Sequence, residues 1–241
     1  MSLTSKIDDC LVVIPARAGS KGVKGKNFKK LNGIPLIQYT IEFALKNFKK
    51  ENIFISTDCN EVIRISKGLK IDVPFKRPPE LSTDQSSIHE TLKHVIKFKI
   101  SNGLEFSKTI LLQPTSPFRS DLDLQRMHQE FNLEYDAIVS VIKAKSNPYF
   151  NLFEINNDGF LTKSKKGNFY RRQDCPKVFE FNGSIYIFNT SSLLKGYLND
   201  FKKIKKYEMS SEYSIDIDNN FDWEIAEYII KGKSNFSTNK K

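Results

Sequence analysis

Residues 11–27 read Leu-Val-Val-Ile-Pro-Ala-Arg-Ala-Gly-Ser-Lys-Gly-Val-Lys-Gly-Lys-Asn. The first four have the length and β-branching of a buried strand. An apolar-periodic segment begins near Leu36, and the stretch between carries glycines at 19, 22 and 25. Six cations, Arg17, Lys21, Lys24, Lys26, Lys29 and Lys30, fall within this region with no acid among them. Glycine lets backbone N–H groups approach a ligand closely, and successive inward N–H groups form a nest for anions. The combination fits a large anion such as a nucleoside triphosphate, against the plainer reading of a solvated basic loop. It is not a P-loop, because Gly19 and Gly25 are one residue too far apart and Asn27 replaces the hydroxyl residue. The Gly-x-Gly-x-x-Gly dinucleotide fingerprint is absent too.

Outward from this loop, short apolar runs alternate with amphipathic segments. Strands are expected at 11–14, 53–56, 109–113 and 137–142, and helices at 36–48, 60–68, 87–100 and 121–131. This alternation predicts an α/β fold, a mainly parallel sheet flanked by helices. Ligands of such sheets lie beyond the carboxyl ends of the strands. The loop at 15–27, Ser56-Thr57-Asp58 and Gln113-Pro114-Thr115-Ser116 all follow strand candidates and are expected to line one cleft. Between about 143 and 182, turn signals at Asn147-Pro148, Asn157-Asp158-Gly159 and Lys166-Gly167-Asn168 separate aromatic-rich pieces. They suggest an inserted β-rich arm. The core resumes at 184–188, 222–230 reads as a final helix, and a polar tail after about 231 reads as disordered. The whole of 1–241 is expected to be a single domain.

The 241 residues are 39% hydrophobic and 27% charged, a globular composition. No apolar run is long enough to span a bilayer, and the first residues lack a signal core. Cys10, Cys59 and Cys175 show no metal or disulfide spacing, so a reduced, cytoplasmic protein is expected. The net charge of +10 raises a nucleic-acid reading. The charge sits in separate clusters with no continuous stripe, and no nucleic-acid or membrane partner is expected. His89, His94 and His128 have no ligand spacing.

Further motifs carry a resemblance. Arg77-Pro78-Pro79-Glu80-Leu81 with Thr83-Asp84 is one. Leu112-Gln113-Pro114-Thr115-Ser116-Pro117-Phe118-Arg119 is another, followed by Asn182-Gly183-Ser184-Ile185-Tyr186. Ser214-Ile215-Asp216-Ile217-Asp218 precedes Phe221-Asp222-Trp223. With the loop at 17–27, these resemble, in order, the motifs of the cytidylyltransferases that activate sialic-acid-type sugars. The resemblance implies a Rossmann-like nucleotidyltransferase fold with the inserted arm serving dimerisation. The implied reaction transfers CMP from CTP to the anomeric hydroxyl of a nonulosonic acid, such as neuraminate or legionaminate, with release of pyrophosphate. It also implies roles. Arg17, Ser20, Lys21, Lys26 and Asn27 hold the triphosphate and ribose, with Lys26 nearest the reacting phosphate. Arg77 reads cytosine, with Ser87 assisting. Gln113, Arg172 and Tyr186 hold the sugar acid.

Asp216 and Asp218, two apart at an expected strand end, share one face of an extended segment. Two carboxylates suit Mg²⁺, with Mn²⁺ as a substitute. Spacing alone leaves two exposed strand carboxylates as the alternative; the resemblance favours the metal role. The catalytic set is then Arg17, Lys26, Asp216 and Asp218. Glu180 stands where some sialic-acid enzymes have a basic residue, so a legionaminic-type acceptor is expected to rival N-acetylneuraminate. The competing readings are a CMP-3-deoxy-octulosonate synthetase, a basic nucleic-acid-binding protein and a catalytically dead CTP binder.

Overall fold

The computed structural model describes residues 6–238, with side chains described to residue 232. The elements run β1 (Cys10–Pro15), β2 (Lys30–Leu31), β3 (Ile34–Pro35), α1 (Leu36–Asn47), β4 (Ile53–Ser56) and α2 (Asn60–Gly68). Then come α3 (Ile88–Ser101), β5 (Lys108–Leu112), α4 (Asp121–Glu130), β6 (Ala137–Lys143), β7 (Phe153–Ile155) and β8 (Leu161–Lys163). Last are β9 (Phe179–Asn189), α5 (Thr190–Lys195), β10 (Ile204–Glu208) and α6 (Asn220–Thr238).

A six-stranded sheet has the order β10-β6-β9-β5-β1-β4. β1 pairs in parallel with β4 and β5, and β10 with β6. β9 is the exception: it runs antiparallel between β5 and β6. β1 is apolar throughout because both its faces are covered. Cys10, Val12 and Ile14 join one core with Ile37, Ile41, Val62 and Met127, from α1, α2 and α4. Leu11 and Val13 join a second core with Leu92, Val95 and Ile96 of α3 and Leu193 of α5. A third, smaller cluster positions the site. Val23 of the glycine loop packs there with Leu36, Phe118, Ile217, Trp223 and Ala226.

Two expectations need correction. The tail after 231 is not disordered through its described part, since α6 continues to Thr238. Extending an existing helix adds a hydrogen bond per residue with no new nucleation cost. Residues 239–241 lie outside the described residues. An edge strand that was not expected, β10, carries Lys205 and Lys206, which remain unburied; only Tyr207 of this strand is buried. Lysine on an edge strand discourages pairing with other chains. The segment holding Asp216 and Asp218 is no strand end either. β10 stops at Glu208, a short helical turn covers Ser211–Tyr213, and 214–219 is irregular. Ile217 N–H joins this segment to the central motif by donating to the Thr115 carbonyl at 2.8 Å.

The arm leaves β6 at Lys143 and returns through β9. Its last residues, Phe179–Asn182, already belong to β9, where Phe179, Glu180 and Phe181 pair with β6. Between them, β7 and β8 form a small antiparallel hairpin that pairs with no other strand.

Candidate active site

The carboxyl ends of β1 and β5 open onto a cavity of about 510 Å³, lined among others by Arg17, Lys21, Lys26, Arg77, Gln113 and Asp218. Ser20, Gly22, Asn27, Thr115 and Asp84 also face it. Two of the three expected strand-end segments line it; Ser56-Thr57-Asp58 does not, and instead stands behind the lining, Ser56 on Arg77 and Asp58 on Ala18. The glycine loop is tied down at both ends. The Asp58 carboxylate accepts from Ala18 N–H at 2.8 Å, and the Asn27 side-chain amide donates to the Arg17 carbonyl at 2.9 Å. Of the six loop cations, only Arg17, Lys21 and Lys26 line the cavity. Lys24, Lys29 and Lys30 are exposed, and Lys29 lies over the Trp223 ring.

Glycine at position 22 has a concrete cause. A Cβ there would stand 1.8 Å from the Asp218 carbonyl oxygen. The loop thus touches the two-aspartate segment backbone to backbone, and no larger residue fits this approach. Gly25 and Gly183 have φ of +64° and +67°, values that favour glycine. Gly183 lies in the irregularity where the β6–β9 register shifts.

Lys26 is buried and bridges the two segments. Its Nζ donates to the Ile217 carbonyl at 2.5 Å and lies 3.2 Å from Asp218 Oδ1. Asp218 is held in turn by α6, because Asp222 accepts from the N–H groups of Asp218 and Asn219 at 2.9 and 3.0 Å. Asp216 sits deeper. Burial pushes its carboxyl above the usual carboxylate range, opposed by a hydrogen bond from Thr115. Its Oδ1 is buried with no hydrogen-bond partner.

Below the cavity, Arg119 ties the central motif together. It donates to the Ser184 carbonyl at 3.0 Å, to Thr40 Oγ1 at 2.9 Å and to the Gln113 carbonyl. Burial lowers its pKa to about 9, and the Asp216 charge opposes that shift. Asn182 anchors the neighbouring bulge. It accepts from Ser140 Oγ at 2.5 Å and donates to Ser214 Oγ at 2.9 Å, while its carbonyl accepts from Ser116 Oγ. Neither role is legible from spacing, because each residue reads as one polar position inside a motif.

Arg77 is buried in the wall. It donates to the Ser56 hydroxyl at 3.1 Å and to the Ser56 carbonyl. Burial brings its pKa down to about 10, with Asp58 opposing and Arg17 adding to the shift. Ser87 does not face the cavity: its hydroxyl caps α3 by accepting from Glu90 N–H. Ser86 lines the cavity in its place. A cap has to precede the helix immediately, and that requirement fixes where Ser87 points.

The three sugar-acid candidates are not brought together. Gln113 lines the cavity. Tyr186 is buried in β9 outside the lining, its hydroxyl accepting from Gly183 N–H at 3.3 Å, and burial raises its pKa to about 12. Arg172 is exposed in a short helical turn of the arm, away from the cavity. Glu180 is exposed on β9.

The donor set fits a hard divalent cation. Asp216 offers a buried oxygen without a partner, and Asp218 offers a mostly exposed carboxylate two residues on. Among the described residues, no three His, Cys, Asp or Glu side chains form a closed metal cage. That leaves coordination positions for water and phosphate oxygens, the usual pattern for Mg²⁺. Of the histidines, His89 stacks on Tyr197, His94 packs edge-on against Phe75, and His128 meets Asp9 and Lys108. The three cysteines are buried free thiols. No helix among the described residues is long and apolar enough to cross a membrane.

The sequence matches the family model described as "Cytidylyltransferase" over residues 11–237. It is 34% identical to a CMP-N,N'-diacetyllegionaminic acid synthase of Campylobacter jejuni, covering 94% of this chain and 97% of that protein. It is 34% identical to the post-translational flagellin modification protein B of Campylobacter coli, covering 95% and 97%. An N-acylneuraminate cytidylyltransferase of Streptococcus agalactiae is 32% identical over 93% of this chain but only 55% of its own length. Among solved structures, a CMP:2-keto-3-deoxy-manno-octonic acid synthetase complexed with CTP superposes with a TM-score of 0.66. At 17% identity, over 95% of this chain and 100% of that one, the likeness speaks for the fold.

Proposed function

The chain belongs to the cytidylyltransferase family, and from that premise we propose that it transfers CMP from CTP to a sialic-acid-type nonulosonic acid, releasing pyrophosphate. The anomeric oxygen of the acid bonds to the α-phosphorus as the bond to the pyrophosphate oxygen breaks. The acceptor is a diacylamino acid of the legionaminic type. Relatives bearing that substrate in their names align with this chain over 97% and 96% of their own lengths.

One observation carries the reading: Lys26, buried and fixed between the Ile217 carbonyl and Asp218 in the lining of a cationic cavity. A fixed cation in a site shielded from water stabilises charge that develops on the reacting phosphate. Lys26 takes that role, with Arg17 and Lys21 on the outer phosphates. Ser20 and Asn27 shape the loop around phosphates and ribose, and Arg77 selects cytosine from the wall. Mg²⁺, or Mn²⁺ in its place, held by Asp216 and Asp218 neutralises phosphate oxygens when bound. Gln113 faces the acid. Arg172 completes that half of the site from the arm, while Tyr186, buried outside the lining, acts on it from β9 by holding the Gly183 backbone. Arg172 lies outside the cavity of its own chain, so it serves a neighbouring copy in a two-fold homodimer.

The test is pyrophosphate release with CTP, ATP and GTP, each with a legionaminic-type acid and a divalent ion. CTP is expected to support turnover with the other two giving little. Equal turnover of all three defeats the cytosine assignment, and full activity in excess EDTA defeats the metal assignment.

A further inference from the structure

We propose that Asp84 is a selectivity-determining residue: it is the built-in counter-anion of Arg17 and Lys21, displaced by the outer phosphates of CTP and returning to those cations as pyrophosphate leaves. The inference rests on the CTP reading above and extends it to a residue with no assigned role. Asp84 lines the same cavity as the loop cations. Its two carboxylate oxygens are divided between them, Oδ1 at 2.8 Å from Arg17 and Oδ2 at 2.9 Å from Lys21. Arg17 also donates to the Thr83 carbonyl at 2.7 Å. The turn carrying Asp84 is self-bonded: Ser86 Oγ donates to the Glu80 carbonyl at 2.7 Å and accepts from Thr83 N–H at 3.1 Å. The two cations, with Lys21 foremost, hold the Asp84 carboxyl below its ordinary range, so it stays charged.

A negative group in the middle of a phosphate site opposes binding unless it moves. The Asp84 side chain is 40% exposed, so it can leave for water at little cost. Lys26 lies outside this arrangement, held by Ile217 and Asp218 instead. Ligands that need Arg17 and Lys21 must therefore displace Asp84. A ligand whose single phosphate meets Lys26 alone need not. CTP and pyrophosphate fall in the first class, CMP in the second. An exposed ion pair shifts an equilibrium by up to about fivefold, so two pairs sharing one carboxylate set a scale of about three- to twentyfold.

The experiment is calorimetric titration of the whole protein, without sugar acid, using CTP, pyrophosphate and CMP as probes. Wild type is compared with Asp84→Asn and Asp84→Ala, the second lacking the hydrogen bonds an amide retains. Both variants are expected to bind CTP and pyrophosphate about three- to twentyfold more tightly, with CMP changed less than twofold. Unchanged or weaker binding of CTP and pyrophosphate overturns the proposal. So does equal tightening of CMP, which reports only the lost negative charge. If wild type binds neither CTP nor pyrophosphate, the nucleotide reading itself has failed, a result distinct from the other two.

Discussion

The glycine-loop side of the molecule and the arm are built on opposite principles. Around the loop, distant segments interlock: Gly22 closely approaches the Asp218 backbone, and polar contacts join Lys26 to Ile217, Arg119 to Ser184 and Asn182 to Ser214. In the arm, Ile155, Phe160 and Leu161 are about 70% exposed and Tyr170 is 90% exposed. An isolated two-stranded hairpin is marginal in water, and an exposed apolar patch of this kind marks an interaction surface. The first region has the rigidity that phosphoryl chemistry requires; the second has an unfilled need for a partner. The proposed function divides in the same way, with nucleotide chemistry in the first and the proposed acceptor contacts and dimerisation in the second.

The largest effect that could break this division is on Lys26. Lys26→Met keeps the side-chain volume and removes the charge. Loss of a preorganised electrostatic contact in a site of this kind costs about 10²–10³-fold in turnover, measured by pyrophosphate release. A loss below tenfold would remove Lys26 from the chemistry. Arg172→Ala comes next. Losing a charge-assisted hydrogen bond, worth about 1.5–3 kcal/mol, lowers kcat/KM for the acid by about ten- to hundredfold. CTP affinity stays unchanged in titration. A matched fall in CTP affinity would mean that the arm and the loop are not separate devices.

Smaller effects appear in stability. Gly22→Ala forces two backbones apart, a clash of about 1–3 kcal/mol. At about 2–4 °C per kcal/mol for a chain of this size, calorimetric melting should show the drop. Gly19→Ala, where a Cβ meets nothing within 4 Å, should melt with wild type. Equal behaviour of the two would remove the backbone contact from the account. The smallest effect on the fold is expected in the arm. Ile155→Ser should change monomer stability by less than about 0.5 kcal/mol, while light scattering should show dissociation of the proposed dimer. An active wild-type monomer would contradict the role given to the arm.

How far the sequence could be read follows from which physical signals are local. Leu11–Ile14 and the helix faces at 36–48 and 87–100 are legible because burial leaves an apolar period in the chain itself. The strands and helices expected in the first half lie within a residue or two of their observed bounds, while the two-residue strands β2 and β3 were not expected. β10 was hidden because an edge strand can be mostly charged, and Lys205-Lys206 carries no period. The direction of β9 was hidden because pairing partners distant in sequence leave no trace in a strand's own residues. In the site, the glycine spacing announced the loop. Which cations face inward depends on contacts such as Lys29 with Trp223, across nearly the whole chain. Asp84 and Asp58 were in view, one within a motif and one after a strand. Only the fold shows that the first neutralises the loop and the second ties it down.

The central claim, CMP transfer to a nonulosonic acid, is most directly tested by identifying the product by mass spectrometry. The protein is incubated with CTP, Mg²⁺ and equal amounts of a legionaminic-type acid and 3-deoxy-octulosonate. The account predicts a CMP–nonulosonate ester as the dominant product, with one pyrophosphate released for each ester formed. A dominant CMP–octulosonate product, or pyrophosphate released without any CMP–sugar, would contradict it.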